Sequence, residues 1–342
     1  PAMTGRVLVL ATDPDGVGGI AHSLPTLIAE LEKLGELAGL RITHRSRPRQ
    51  RLLPAVNALA SLPGDLARIR RGGVRPIVFA QVGGPVCLTR TAPLIALARQ
   101  MGAVVWVQLH SAGLDPWLRG ARRHALAYAL RPAHCVFAGT GYYATRYRIA
   151  GLNPVRVMAP ALPADVLDAL DRQPPLRKAG PTLRLLCASR LVTGKGLDLV
   201  VDAVRNTDDH LTVAGEGPLR AELEQRARPF SSRVHFTGWV SPLTSLFDQA
   251  DAFVLPSRSD TYGLAVAEAL AHGLPTLVAD SPVLREVHGD VVLSCAATPS
   301  AVRDALDLVR SGDVPSPEDA RAHVRGLHRT WQETLRRHLA SG

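Results

Sequence analysis

The sequence predicts an α/β fold of two doubly wound domains, on three observations. Short apolar runs of strand length recur along the chain, each followed by a loop and then an amphipathic helical run, the alternation that builds a parallel sheet covered by helices. The pattern pauses over 159–180, where Pro160, Pro163, Pro174 and Pro175 mark a linker, and starts afresh at LRLLCA, Leu183–Ala188. The chain has 342 residues, too many for one ordinary core and enough for two. The domains are expected at 1–160 and 161–316, followed by a helical tail over 317–342.

In the first half, Arg6–Ala11 (RVLVLA) reads as a strand, TDPDGVGG as a loop and Ile20–Leu34 as a helix. Gly16, Gly18 and Gly19 give a diphosphate room to approach the helix start, a short signal that many tight turns share. Asp13 and Asp15 read as turn residues with Pro14 and Gly16 rather than as a metal pair. Residues 52–71 set apolar positions against arginines in an amphipathic pattern broken at Pro63. A strand is expected at Pro76–Gln81, a helix at Thr91–Met101 and a buried strand at Ala103–Leu109 (AVVWVQL). His110 follows directly, where a side chain faces the ligand edge of a parallel sheet; a capping or turn histidine is the other reading. Trp117–Leu130 reads as a helix, Cys135–Ala138 as a strand, Tyr142–Ala150 as a helix and Val155–Met158 as the closing strand.

In the second half, strand Leu183–Ala188 leads into a loop where Arg190 and Lys195 stand beside Gly194 and Gly196, ahead of a helix at Leu197–Val204. Two cations beside flexible glycines can neutralise a diphosphate without a metal. Lys195 is one of three lysines, with Lys33 and Lys178, among 40 Lys and Arg residues, so a compact ammonium stands where the chain elsewhere uses arginine. His210–Ala214 is a strand running into Gly215, Glu216, Gly217 and Pro218, and Val234–Thr237 is another. Ala252–Leu255 is a strand closed by Pro256, Gly263–Ala271 a helix stopped by Gly273 and Pro275, and Leu274–Ala279 the next strand. Asp260 lies in the loop after a strand and Glu268 two helical turns on, so the two carboxylates can reach different points of one ligand. Thr261, Tyr262, Gly263 and Leu264 stand at the helix start, where backbone N–H groups have no partner within the helix. A solvated loop acid and a surface helix Glu are the plainer reading. Strand and helix continue through Val291–Leu293 and Ala301–Val309, and Pro317–Ala340 reads as helix.

Net charge is +10, and nine arginines face one acid, Asp65, between positions 41 and 75. That window suits an anionic membrane surface or an anionic substrate, with a solvated basic face as the equal alternative. It holds no aromatic residue to stack bases, which argues against nucleic acid. Cys87, Cys135, Cys187 and Cys295 are isolated and read as buried thiols in a reducing cytoplasm. No apolar run reaches membrane-spanning length and no signal peptide is recognised, so a cytoplasmic location, with peripheral contact at the inner face of the cell membrane, is expected.

From Arg190 to Pro275 these motifs resemble the retaining nucleotide-sugar glycosyltransferases of the GT-B superfamily, family four. The family's mark is Glu-x7-Glu within a Pro-Ser, Gly-Phe-Gly, Glu-Ala, Gly-Leu-Pro frame, and Pro256, Ser257, Gly263, Glu268, Ala269, Gly273, Leu274 and Pro275 match it. The Arg190-x4-Lys195-Gly196 element and the Gly215 to Leu219 run match as well. Asp260 replaces the first Glu, Thr261 and Tyr262 stand where Gly-Phe is usual, and Ala161–Ala164 stands near the place of an Asn-Gly-Val-Asp run. The resemblance implies the GT-B fold, two Rossmann-like domains with an interdomain cleft, the tail helix crossing back to the first domain. It implies that the first domain binds the acceptor and the second a nucleotide-diphosphate sugar, a UDP-sugar foremost, with no cofactor and no metal. By the same resemblance Asp260 and His110 contact the donor sugar, Glu268 the ribose hydroxyls, and the backbone of Val234, His235 and Phe236 the base. Gly18 and Gly19 would lie under the phosphates or the acceptor, and Arg190 and Lys195 would stabilise the leaving diphosphate. The activity implied is retaining hexosyl transfer to a carbohydrate or lipid-linked acceptor. A sugar-nucleotide epimerase of the same architecture and a catalytically inert binding partner are the alternatives.

Overall fold

The computed structural model describes residues 6–14, 19–44, 53–110, 112–175 and 180–341. It contains two six-stranded sheets. The first is built from β1 (Val7–Thr12), β2 (Leu37–His44), β3 (Ile77–Val82), β4 (Val104–Leu109), β5 (Cys135–Ala138) and β6 (Val155–Val157), in the order β2-β1-β3-β4-β5-β6. The second is built from β7 (Arg184–Ala188), β8 (His210–Ala214), β9 (Val234–Gly238), β10 (Ala252–Leu255), β11 (Thr276–Ala279) and β12 (Leu293–Cys295), in the order β12-β11-β10-β7-β8-β9. The pairing is parallel throughout, and helices connect most of the strands. The chain divides into one unit of Pro1–Ala164 with Arg329–Gly342 and a second of Asp165–His328.

Each strand order reverses once, between β1 and β3 and between β7 and β10. At such a point the connections leave to opposite faces, and a crevice opens beyond the carboxyl ends of the two central strands.

In the first unit Val9, Phe79, Trp106 and Phe137 pack against Leu24, Leu27 and Leu31 of helix Gly19–Lys33 and against Trp331, Leu335 and Leu339 of helix Pro317–Ser341. Phe79, Trp106 and Phe137 meet edge to face at 5.8–6.0 Å. Each such side chain contributes about 1.5–3 kcal/mol by leaving water. In the second unit the buried Arg321, early in the same long helix, donates to the carbonyls of Ala169, Leu170, Arg172 and Ala271. It thereby satisfies helix-terminal carbonyls that have no partner of their own, including that of the helix carrying Glu268.

Several elements differ from the sequence reading. Strand β2 was not anticipated, because LAGLRITH opens with small residues and carries an arginine. Helix Leu53–Arg71 continues through Pro63, which lies on its exposed side, while the fully buried Leu62 and Leu66 hold the helix across the missing N–H. Helix Pro85–Gln100 starts earlier than Thr91, with Pro85 tolerated at its first turn. The run expected as one helix at Trp117–Leu130 splits into a 3-10 turn at Ala112–Leu118 and a helix at Arg122–Leu130, and the proline-rich linker contains a helix at Ala164–Asp171. Of the four thiols, Cys135 and Cys187 are buried while Cys87 and Cys295 are only half-buried.

Candidate active site

The loops after β7 and β10 meet at the reversal point of the second sheet. The Arg258 N–H donates to the Gly194 carbonyl at 2.8 Å, and the Ser257 hydroxyl donates to the same oxygen at 3.4 Å. Gly196 makes the close approach feasible: its φ is +72°, and a Cβ there would stand 2.3 Å from the Pro256 carbonyl oxygen. Lys195, between the two glycines, is thus delivered to Asp260, with Nζ 2.6 Å from Oδ1 and both side chains about 12% exposed. Burial, the largest influence, works to raise the Asp260 pKa, but the Lys195 ammonium by its charge and hydrogen bond, with the Ser257 side chain and His288 adding to it, holds the carboxyl below its ordinary value. The second oxygen, Oδ2, is buried and has no hydrogen-bond partner. The site therefore contains an ion pair with one open, ionised acceptor.

Arg190 is exposed in the same loop after β7, and no carboxylate pairs with it among the described residues. The loop after β8 closes on the same edge: the Gly215 N–H donates to the Gly238 carbonyl at 2.7 Å and the Leu191 N–H to the Glu216 carbonyl at 2.9 Å. The Glu216 carboxylate accepts from Arg220 at 2.5 Å. Gly263 caps helix Leu264–Ala271 in the left-handed region, with Thr261 half-exposed before it. Tyr262 turns inward, its ring centroid 6.4 Å from that of His288, which leaves its backbone as the part that faces the loop surface. Glu268 is half-buried, and burial, with the negative charge of Asp165 adding to it, pushes its pKa up to about 8. At neutral pH this carboxyl is mostly protonated and offers both a donor and an acceptor.

Not every expected residue reaches this edge. Val234 and His235 begin β9, where Val234 pairs with Leu211, whereas Gly238 at the other end pairs with Ala214 beside the site. The distance along the strand is set by a rise of about 3.3 Å per residue, which leaves Phe236 midway and the first two remote. Conversely, His288 was not read from the sequence. It is 1% exposed behind the Asp260–Gly263 loop, and burial, then the neighbouring His323, pushes its pKa down to about 3.

In the first unit, His110 N–H donates to the Val82 carbonyl, and its Nε2 lies 2.7 Å from Gln81 Oε1. Burial pushes the ring down to about 4, so it is neutral at pH 7. Gly19 is exposed at the start of its helix; Gly18 and Gly16 lie outside the described residues. Gln81 and Gln108 were overlooked although they pair in register at the carboxyl ends of β3 and β4 and are 4% and 3% exposed. Their signal was present: one polar residue at the same place in two otherwise apolar strands, IVFAQV and VVWVQL. Among the described residues no group of three or more His, Cys, Asp or Glu is placed to hold a metal ion, and no helix is long and apolar enough to cross a membrane.

The family model for glycosyl transferases group 1 matches residues 182–310. A GDP-mannose-dependent alpha-(1-6)-phosphatidylinositol dimannoside mannosyltransferase of Mycobacterium tuberculosis is 34% identical over 176 residues, 48% of this chain and 45% of that protein. The O-antigen biosynthesis glycosyltransferase WclY of Escherichia coli is 32% identical over 130 residues, 36% of each. The chain thus matches less than half the length of these curated relatives. Among solved structures, HepE of Anabaena in complex with UDP superposes with a TM-score of 0.67 at 15% identity, over 98% of this chain and 100% of that one. Sucrose-phosphate synthase of Thermosynechococcus elongatus gives 0.70 at 17%, with the same coverage. The chain has the GT-B fold of two Rossmann-like α/β domains, and its second unit carries the group 1 glycosyl transferase match.

Proposed function

We propose that this chain is a retaining, metal-independent hexosyltransferase that moves a hexosyl unit from a nucleotide-diphosphate sugar to an acceptor hydroxyl. The observation that carries the reading is the Lys195–Asp260 pair at the reversal point of the second sheet, with the unpartnered Asp260 Oδ2 beside it. A buried ionised oxygen without a donor is costly until a ligand hydroxyl supplies one, and a sugar is a dense source of hydroxyls. Arg190 and Lys195 supply fixed positive charge where the leaving diphosphate gains negative charge, as preorganised electrostatics. The neutral Glu268 suits the ribose diol, donating to one hydroxyl and accepting from the other. The acceptor attacks on the face the diphosphate leaves, and the leaving phosphate oxygen takes the acceptor proton, so no carboxylate nucleophile is needed.

A UDP-sugar is the donor we infer, supported by a fold neighbour holding UDP-glucose; the GDP-mannose-dependent relative supports GDP-mannose as the second reading. A panel of nucleotide sugars including both, with and without glycolipid and oligosaccharide acceptors, tests the proposal. Release of nucleoside diphosphate with a new glycoside of unchanged anomeric configuration is expected. A sugar altered without transfer would make the chain an epimerase, and binding without turnover of any donor would make it an inert partner.

For the acceptor we propose a lipid-linked molecule met at an anionic bilayer. Helix Leu53–Arg71 exposes Leu53 and Val56 at 59% each, and Arg68, Arg70 and Arg71 near its end. Its single acid, Asp65, is 4% exposed and held by Arg41 and Arg68. Its outward side is therefore apolar and basic, the pairing that favours an anionic interface. Arg45, Arg47, Arg49 and Arg51 lie outside the described residues. Co-sedimentation with anionic vesicles should fall when salt is raised and when Arg68, Arg70 and Arg71 become Gln; equal sedimentation with neutral vesicles would reject this contact.

A further inference from the structure

We propose that Gln81 is a substrate-binding residue of the first unit, whose carboxamide N–H donates to a hydroxyl oxygen of a neutral sugar in a pocket at the reversal point of the first sheet. This rests on the transferase reading for the origin of the sugar, but the site is argued from its own geometry.

The pocket lies beyond the carboxyl ends of β3 and β4 and beside helix Gly19–Lys33, where the strand order reverses between β1 and β3. Its polar lining is Ser23, Gln81, Gln108 and His110, and its apolar lining includes Ile20, Leu24 and Trp331. Most of the polar capacity is already used. The Ser23 hydroxyl donates to the Gly19 carbonyl at 2.8 Å, and Gln108 Nε2 donates to the carbonyls of Met158 and Ala159 at 2.9 and 3.1 Å.

Gln81 is different. Its Oε1 can only accept, so the 2.7 Å contact fixes the hydrogen of His110 on Nε2 and consumes the Gln81 oxygen. The other half of the amide, Nε2, carries two hydrogens, is buried and has no partner. An amide donor removed from water without an acceptor is unfavourable, and nearly all such groups in folded proteins have a protein, water or ligand partner. The oxygen it awaits is neutral: His110 is uncharged and no cation lines the pocket, so a phosphate would be buried without compensation. A sugar hydroxyl satisfies both conditions, since the cavity, about 10 Å³, has room for one such group reaching in from a ring held outside it.

The hydroxyl belongs to the donor hexose or to the acceptor, and kinetics separate them. Gln81→Leu keeps the size and removes the donor, and should lower kcat/KM for transfer by about tenfold, with nucleoside diphosphate affinity unchanged. If donor hydrolysis without acceptor falls equally, the hydroxyl is on the donor; if hydrolysis stays at the parent rate, it is on the acceptor. Gln81→Glu still accepts from His110 but has no N–H, and should show the same loss while raising the His110 pKa, read by NMR titration. A third measurement needs no turnover: in the 15N-labelled full chain, the Gln81 side-chain amide resonances should move on titration with methyl α-D-glucopyranoside or methyl α-D-mannopyranoside. Movement without turnover of any donor leaves the pocket standing and removes the transferase reading. Transfer at the parent rate in Gln81→Leu, together with amide resonances that do not respond to either glycoside, overturns the role of Gln81 and leaves that reading intact.

Discussion

At the scale of single residues, Asp260 and Lys195 hold each other, so their substitutions differ in kind. Asp260→Asn keeps the shape but removes the open ionised oxygen; turnover should fall about a hundredfold or more, since one preorganised electrostatic contact contributes on that order. Nucleoside diphosphate affinity, measured by calorimetry, should change little, because Arg190 and Lys195 keep their charge. Lys195→Ala instead leaves Asp260 buried and uncompensated, and the cost of breaking such a pair is about 3–5 kcal/mol. Its melting temperature should therefore drop, and adding Asp260→Asn to it should recover much of that loss. Additive losses in the double variant would mean that the pair is not coupled. The motif residues were legible in the sequence because their chemistry is unusual locally: a lone lysine among arginines, an acid after a strand, glycines in series. His288 was not, because its place behind the Asp260 loop is set by neighbours distant in sequence, and Gln81 was marked only as a polar residue in an apolar strand, which does not tell what faces it.

Among the elements, the structure depends on glycine for two separable reasons, one of them where the loops bring Lys195 to Asp260. Gly196 has a positive φ and also lies against the Pro256 carbonyl, whereas Gly312, after helix Pro299–Ser311, has φ +77° and open space where a Cβ would go. Gly312→Ala should cost only the conformational penalty, about 1–2 kcal/mol. Gly196→Ala must also move the backbone of the β10 loop, so it should destabilise more and weaken the thermal shift produced by UDP or GDP. Equal melting temperatures for the two variants would show that the loop yields without strain. The sheets were readable because parallel strands buried on both faces appear as continuous apolar runs. Strand β2 escaped because its side chains are mostly only half-buried, and helix Ala164–Asp171 because the prolines flanking it dominate the local pattern. In both, tertiary contact decides what composition leaves open.

For the whole molecule, the buried titratable groups set a pH profile, in which the histidines of both units act with one sign and Glu268 with the other. His110 in the first unit and His288 in the second are held neutral by burial, down to about 4 and about 3. Between those values and the ordinary 6.5 the unfolded chain binds more protons than the folded one, so stability falls as pH falls. His134, His323 and His338 are shifted in the same direction. Glu268 is opposite: from the ordinary 4.5 up to about 8 the folded chain keeps a proton that the unfolded chain releases, so stability falls as pH rises. The histidines outnumber Glu268 where the windows overlap, which puts the maximum near pH 6.5. Calorimetry from pH 4 to 8 should resolve the contributions. Glu268→Gln should abolish the decline between pH 6.5 and 8 in the transition of the unit spanning Asp165–His328, steepen that unit's acid limb between 4.5 and 6.5, where the Glu268 contribution opposed the histidines, and leave the other unit's transition unmoved. Nucleotide binding is linked to the same proton. Because the ribose diol is proposed to bind protonated Glu268, binding should weaken toward pH 8 in the parent and be flat over that range in Glu268→Gln. A parent affinity that is already flat would remove Glu268 from contact with the nucleotide.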